Sequence, residues 1–141
     1  MQLGFKRDER GFTLMELIIV LAVIAIIGAI LAPNFLTATE RARLKSDIQS
    51  ARVIQTAIET YNAEQTTALA PAADVKTSIL SSLTGKGYLS EASGLTPQTD
   101  DAIWTYGADG IVKLNITGCD PKIRGDIYDA LSDEEKGMVI K

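Results

Sequence analysis

Residues 11–32 read Gly-Phe-Thr-Leu-Met-Glu-Leu-Ile-Ile-Val-Leu-Ala-Val-Ile-Ala-Ile-Ile-Gly-Ala-Ile-Leu-Ala. No charged residue occurs from Leu17 to Thr39. A helix of that length is long enough to cross a hydrocarbon layer roughly 30 Å thick. The sequence therefore predicts a membrane-spanning helix near the N-terminus.

Glu16 is a carboxylate at the head of this apolar run, five residues after Gly11. A charge inside a bilayer costs about 2.5–3.5 kcal/mol on insertion scales, so an ionisable residue there usually has a function and a partner. The plainer interpretation is a tolerated charge that snorkels to the membrane interface or is protonated. We favour a functional acid that pairs with a positive group of a neighbouring subunit.

The N-terminal segment also resembles a known signature. A short basic leader ending in Gly11, then Phe12-Thr13-Leu14-Met15-Glu16 and an unbroken apolar helix, is similar to the processing and assembly signature of type IV pilins and the related type II secretion pseudopilins. The resemblance implies that a prepilin peptidase cuts after Gly11 and that Phe12 becomes the N-methylated first residue. It also implies that Glu16 guides subunit assembly by pairing with the Phe12 amine of an adjacent copy.

This resemblance covers about the first 55 residues and implies a structural subunit of a type IV pilus. The implied partners are further copies in a helical homo-oligomeric filament, the prepilin peptidase, an assembly platform protein, an ATPase and the membrane. A major pseudopilin of a type II secretion system is the alternative within the family. The alternative outside it is a single-pass membrane-anchored binding domain that keeps its leader.

The basic leader residues Lys6, Arg7 and Arg10 precede the apolar run, which predicts a cytoplasmic leader and an outward-facing C-terminus. Before assembly the protein would therefore cross the inner or cytoplasmic membrane once. After assembly the resemblance implies an extracellular pilus or a periplasmic pseudopilus.

Three regions follow from the patterning: a leader at 1–11, a long helix at 12–65 and a small globular head at 66–141. Pro33 should kink or locally open the helix, because it lacks an N–H and clashes with the preceding turn; a helix stop there is the alternative. Beyond Pro33 one apolar stripe recurs at helical spacing. It consists of Leu44, Ile48, Ala51, Ile54, Ile58 and Tyr61. We expect the head to cover this stripe, since a domain of roughly 76 residues is marginal alone.

The predicted fold class is α+β, with the long N-terminal helix packed on a head that contains a short antiparallel β-sheet. Alternating residues at 103–106 and 111–116 flank Asp109-Gly110, which predicts a β-hairpin. Tyr88-Leu89 is predicted to begin an extended segment.

Short helices are predicted in two further segments. Asp74 is a candidate cap for a helix over residues 75–83. In the tail, residues 123–131 could form a helix, and Ser132 with Glu135 matches a capping box before a second one. A strand at 138–140 is the alternative for the end of the chain.

Composition argues against several functions. The net charge is −4, and the leader contributes +1, so the acidic remainder disfavours a nucleic-acid partner. The chain has one cysteine and no histidine, so no intramolecular disulfide can form. The side chains for Ser–His or Cys–His nucleophilic catalysis are therefore missing, and we do not expect an enzyme. Cys119 is predicted to be a small buried hydrophobe.

No cofactor and no metal site is predicted. Acidic residues occur in or near the predicted loops at Asp100, Asp101, Asp109, Asp120, Asp126 and Asp129. Their spacing does not match a calcium-binding loop, and Asp109 is better explained by its turn. Calcium remains a minor alternative, because the resemblance to major pseudopilins implies it.

Overall fold

The computed structural model describes residues 12–90 and 95–141. Its helices are α1 (Leu14–Glu64), α2 (Val75–Ser78), α3 (Leu80–Gly85) and α4 (Asp133–Gly137), with a π-helical turn at Ile123–Ile127. Its strands are β1 (Ile103–Tyr106), β2 (Val112–Asn115) and β3 (Val139–Ile140). Contacts divide the chain into two units, Met1–Leu36 and Thr37–Lys141. The predicted α+β fold class is confirmed.

Helix α1 is a single element of 51 residues. The predicted long helix is therefore confirmed to within two residues at each end, and a helix stop at Pro33 is wrong. The helix continues because the residues after Pro33 favour helix and because burial of their amphipathic stripe stabilises the helical conformation. A kink at Pro33 stays a prediction. The leader, including Gly11, lies outside the described residues.

In the first unit the apolar surface of α1 is uncovered. Every side chain from Phe12 to Ala32 is exposed. By length and composition, this part of α1 could cross a membrane. Exposing apolar surface of this extent to water is unfavourable, so lipid or protein must surround it.

In the second unit, the predicted stripe of α1 is one wall of the hydrophobic core. Leu44, Ile48, Ala51, Ile54 and Ile58 are all 0 % exposed, and Tyr61 packs at the edge of the same cluster. The other wall comes from the head, mainly Val75, Leu80, Leu83, Trp104, Val112, Leu114 and Ile127. The prediction that helix and head share one core is confirmed.

The sheet has the order β1-β2-β3. β1 and β2 form the predicted antiparallel hairpin, with Ile103 opposite Asn115 and Tyr106 opposite Val112. Gly110 takes a φ of 76° in the turn, a conformation that favours glycine. β3 pairs with β2 in parallel, so the sheet is mixed rather than purely antiparallel. The parallel pair arises because the chain crosses through α4 before it returns to the free edge of β2.

Capping residues determine where the short helices of the head begin. The Asp74 side chain accepts a hydrogen bond from the Lys76 N–H (2.9 Å) and starts α2, but the predicted helix over 75–83 divides at Ile79 into α2 and α3. Ser132 and Glu135 form the predicted capping box at the start of α4. The helical tail and the terminal strand, predicted as alternatives, both occur.

The extended segment predicted at Tyr88-Leu89 is wrong, since these residues form a bend. The Tyr88 hydroxyl donates to Glu64 Oε2 (2.7 Å) and accepts from Gln65 Nε2 (3.1 Å). The Tyr88 ring also packs edge-on against Tyr61. These contacts draw the segment back onto the end of α1 and away from a sheet.

Asp47 is a buried charge on α1 that the sequence pattern did not identify. It is 1 % exposed, and its carboxylate accepts hydrogen bonds from the N–H groups of Gln98 (2.7 Å) and Thr99 (2.8 Å). Its backbone carbonyl accepts from the Trp104 indole N–H (3.2 Å). One residue of α1 thus holds both the loop before β1 and the largest side chain of the core.

Replacing Asp47 with Ala should therefore destabilise the head. The loss of the carboxylate leaves two N–H groups without an acceptor, which should lower the free energy of unfolding by about 2–4 kcal/mol. The measurement is a urea titration of the full chain in detergent micelles, followed by the fluorescence of Trp104, the only tryptophan. Asp100→Ala, exposed in the same loop, is the control and should change stability by less than about 0.5 kcal/mol. Equal midpoints for the two variants would contradict the assignment.

Candidate functional site

The candidate site is the first turn of α1, where Thr13 and Glu16 bond reciprocally. The Thr13 N–H donates to Glu16 Oε2 (2.8 Å), and the Thr13 hydroxyl donates to the same oxygen (3.0 Å). In return, the Glu16 N–H is 3.2 Å from Thr13 Oγ1. This arrangement is a capping box, and the Thr-x-x-Glu spacing at 13–16 is its sequence signal. Thr13 is therefore a site residue that the sequence analysis missed.

The capping box is important because it lies at the start of an apolar helix. The first N–H groups of a helix have no acceptor within the helix. In hydrocarbon each unsatisfied group costs several kcal/mol. Thr13 and Glu16 satisfy one another's N–H groups, so Glu16 has a role within its own chain. The carboxylate also lies at the positive end of the helix dipole.

Glu16 keeps the capacity for a second partner. In the part of the chain that the structure describes, its carboxylate accepts two hydrogen bonds, both from Thr13 and both on Oε2. Phe12 and Glu16 are exposed, so a donor from outside the chain can approach Oε1. The arrangement can therefore bind a cation while the helix cap stays intact.

Of the other predicted site residues, Phe12 lies at this end of α1 and Pro33 lies away from it. Phe12 directly precedes Thr13 and is 83 % exposed, so it belongs to the same end of α1. Pro33 lies 17 residues beyond Glu16, about 25 Å along a helix, and is not part of this site. Gly11 lies outside the described residues, and its predicted role stays a prediction.

The head offers no comparable cluster in its described part. Among the residues described, no three acidic, cysteine or histidine side chains stand close enough to hold a metal ion. Asp109 serves the hairpin turn as expected, since it accepts from the Ile111 N–H (3.2 Å) and pairs with Lys113 Nζ (2.9 Å). The calcium alternative remains untested.

Cys119 is free and buried in the core of the head. Burial raises the pKa of its thiol to about 11, with the nearby Asp101 carboxylate adding to the rise. At neutral pH the thiolate, which is the reactive form, is therefore scarce. The position of Cys119 agrees with its prediction as a small hydrophobe.

Comparison with known proteins gives one family match and several relatives. The prokaryotic N-terminal methylation motif matches residues 6–32. A prepilin peptidase-dependent protein A of Clostridium perfringens is 41 % identical over 61 residues, covering 43 % of this chain and 44 % of that protein. The type IV wide pilus major component of Thermus thermophilus is 58 % identical over 36 residues, covering 26 % of this chain and 28 % of that protein.

A third relative is similar over most of the chain. A fimbrial protein of Moraxella nonliquefaciens is 28 % identical over 137 residues, covering 94 % of this chain and 83 % of that protein. The alignments to the first two relatives span less than half of their lengths. No solved structure gives a significant match. The methylation motif at residues 6–32 includes the part of α1 that holds the candidate site.

The capping box predicts a difference between two substitutions at Thr13. Thr13→Val removes the hydroxyl and should cost about 1 kcal/mol of cap stability, so the Glu16 amide should exchange about fivefold faster with solvent. Thr13→Ser keeps the hydroxyl and should leave the exchange rate unchanged. Hydrogen exchange by NMR on the full chain in detergent micelles measures both. Equal rates for the two variants would show that the cap does not form.

Proposed function

We propose that this chain, a type IV pilin-like protein with an N-terminal methylation motif, is a structural subunit of a type IV pilus. Two of its relatives are named as a pilus component and a fimbrial protein, and the described part of the chain has an architecture suited to assembly. The single observation that carries the proposal is Glu16, a capped carboxylate at the start of an exposed apolar helix.

The first proposed step is proteolytic. A prepilin peptidase hydrolyses the peptide bond after Gly11, and the new amine of Phe12 is then methylated. The methylation motif at residues 6–32 spans this bond, and one relative is named as prepilin peptidase-dependent. Cleavage would leave the amine one residue before Thr13, at the same end of α1 as the Glu16 carboxylate.

In the second step, Glu16 of one copy pairs with the Phe12 amine of an adjacent copy. Opposite charges attract strongly where water is excluded, and removing one partner of a buried pair typically costs about 3–5 kcal/mol. The pair would fix the axial register of apolar helices that otherwise slide against one another.

Glu135 supports this dual use of one carboxylate. It occupies the same position in the α4 capping box, where Oε2 accepts from the Ser132 N–H at 2.8 Å. Its other oxygen, Oε1, lies 3.2 Å from Lys45 Nζ. A capping-box glutamate in this chain thus binds a cation on its second oxygen, which is the arrangement proposed for Glu16.

The third step exchanges lipid for protein around the exposed half of α1. Before assembly this half would cross the inner or cytoplasmic membrane, with the head outside it. A platform protein and a cytoplasmic ATPase would then drive the subunits into a homo-oligomeric filament on the cell surface. The alternative, a major pseudopilin in a periplasmic filament, would use the same contacts. The names of two relatives, a wide pilus component and a fimbrial protein, favour the pilus.

The N-terminal residue of the native protein tests the first step. We expect mass spectrometry of protein from its own cells to find a chain that begins at N-methylated Phe12. Peptide identification of fibres sheared from the cell surface tests the location, and electron microscopy shows the fibres. A chain that retains its leader would instead support the membrane-anchored binding domain. Processed protein without surface fibres would favour the pseudopilin.

Two substitutions at Glu16 separate the charge pair from the helix cap. Glu16→Ala removes both, whereas Glu16→Gln keeps an acceptor for the capping box and loses only the charge. We expect both variants to insert in the membrane and to yield at least about tenfold fewer fibres than the wild type, because the stranded amine costs several kcal/mol. Fibre yield by shearing and immunoblot is the measurement.

Glu59→Ala, which removes an exposed glutamate from the second half of α1, is the matched control and should assemble normally. Normal assembly of Glu16→Gln together with failure of Glu16→Ala would assign the role of Glu16 to the cap alone. Normal fibre yield from both variants would overturn the proposal.

A further inference from the structure

The last ten residues form a strap along the edge of the sheet. We define the C-terminal strap as residues 132–141, which include α4 and β3. Its Met138 carbonyl accepts from the Leu114 N–H (2.8 Å), and its Ile140 carbonyl accepts from the Ile116 N–H (2.9 Å). The strand itself is only two residues long. So few ladder bonds hold a strand weakly, because each ordered residue loses conformational entropy.

Two ion pairs connect this strap to α1. Arg52 Nη2 lies 2.6 Å from Glu134 Oε1, and Lys45 Nζ lies 3.2 Å from Glu135 Oε1. Lys45 and Arg52 are seven residues apart, which places them two turns apart on one side of the helix. The two acids are neighbours in the first turn of α4. Two bases on one rigid helix therefore face two acids on one short helix.

Glu135 is the better fixed of the two acids. Its side chain is 16 % exposed, whereas that of Glu134 is 78 % exposed. The Ser132 backbone N–H holds the pKa of Glu135 below its usual value, so the carboxylate is ionised at neutral pH. The capping box fixes the side chain before it meets Lys45, and less side-chain entropy is lost in forming that ion pair.

We propose that the ion pairs Lys45–Glu135 and Arg52–Glu134 form a clasp that keeps the C-terminal strap closed over the edge of β2. The single cysteine of this chain leaves no intramolecular disulfide to do so. When the strap opens, the Leu114 and Ile116 N–H groups lose their acceptors and β2 becomes an open edge. Open edges accept strands from other chains, so the clasp protects the head from non-native strand pairing.

The clasp makes strap opening depend on ionic strength. The Debye length falls from about 30 Å at 0.01 M salt to about 3 Å at 1 M, so salt screens both ion pairs. Local opening involves only the strap, and its free energy is smaller than that of global unfolding. Modest ion pairs can therefore change the open fraction of the strap while leaving the rest of the head folded.

Another attachment lies at the very end of the strap. Lys141 Nζ is 3.5 Å from Asp129 Oδ1 and 4.7 Å from the centre of the Tyr128 ring. These contacts bind the strap to the π-helical turn and not to α1. A test of the clasp must therefore change the ion pairs with α1 and leave Lys141 untouched.

The amides of Leu114 and Ile116 report strap closure directly, because their acceptors belong to the strap. Hydrogen exchange is measured on the full chain in nonionic detergent for Arg52→Gln, Glu134→Gln and the double variant. Each single variant should speed exchange at these two amides about two- to fivefold, the range that an exposed ion pair usually contributes. The double variant should be no faster than either single variant, since each acts through the other.

Matched controls remove the same charges outside the clasp. Arg41→Gln on α1 and Asp133→Asn in the first turn of α4 should leave the Leu114 and Ile116 amides unchanged. The Ala72 and Tyr106 amides, which bond to each other's carbonyls at the opposite edge of the sheet, should not respond in any variant. Raising salt from 0.01 to 1 M should speed exchange in the wild type and have a smaller effect in Lys45→Gln/Arg52→Gln, which keeps the Lys141–Asp129 ion pair. Additive effects of Arg52→Gln and Glu134→Gln, or salt-independent exchange in the wild type, would overturn the proposal.

Discussion

The buried stripe on the second half of α1 is the constraint on which the head depends. The head is too small to bury a sufficient core with its own residues, and α1 supplies a complete wall from Leu44 to Ile58. Polar side chains on α1 then fix the orientation of what packs there. Asp47 holds the loop before β1, while the Gln55 side chain donates to the Gly110 carbonyl (2.9 Å) and accepts from the Val112 N–H (2.6 Å). Apolar burial thus stabilises the head on α1, and these hydrogen bonds fix its position along the helix.

Elements that depend on local periodicity could be predicted from the sequence. The three- and four-residue spacing from Leu44 to Ile58 identified the core face of α1, and the Asp-Gly dipeptide between alternating runs identified the hairpin. Both signals are local, because each is set by neighbours within a few residues. Elements that depend on contacts distant in sequence were missed or left open. The parallel pairing of β3 and the burial of Asp47 each join segments more than twenty residues apart, and no single-sequence pattern reports such contacts.

The sequence analysis identified only one of the two residues of the capping box at the candidate site. Glu16 stood out because a charge contrasts with an apolar helix. Thr13 was missed, although its Thr-x-x-Glu spacing to Glu16 is the sequence signal of a capping box and its hydrogen bonds with Glu16 form one. The same reciprocal bonding recurs at Ser132 and Glu135, where the sequence signal was identified. Two capping boxes thus give this chain two rigidly held carboxylates, one at an exposed apolar end and one beside Lys45.

The shared core also determines where such a subunit can be recombined with a related one. A chimera joined at residue 65 would separate the head from the wall on which it folds, and the two halves of the interior would come from different parents. A junction before Thr37 would instead transfer residues 37–141 with their interior intact. Exchange of heads between subunits, in the laboratory or in evolution, should therefore respect a boundary that lies inside the long helix and not at its end.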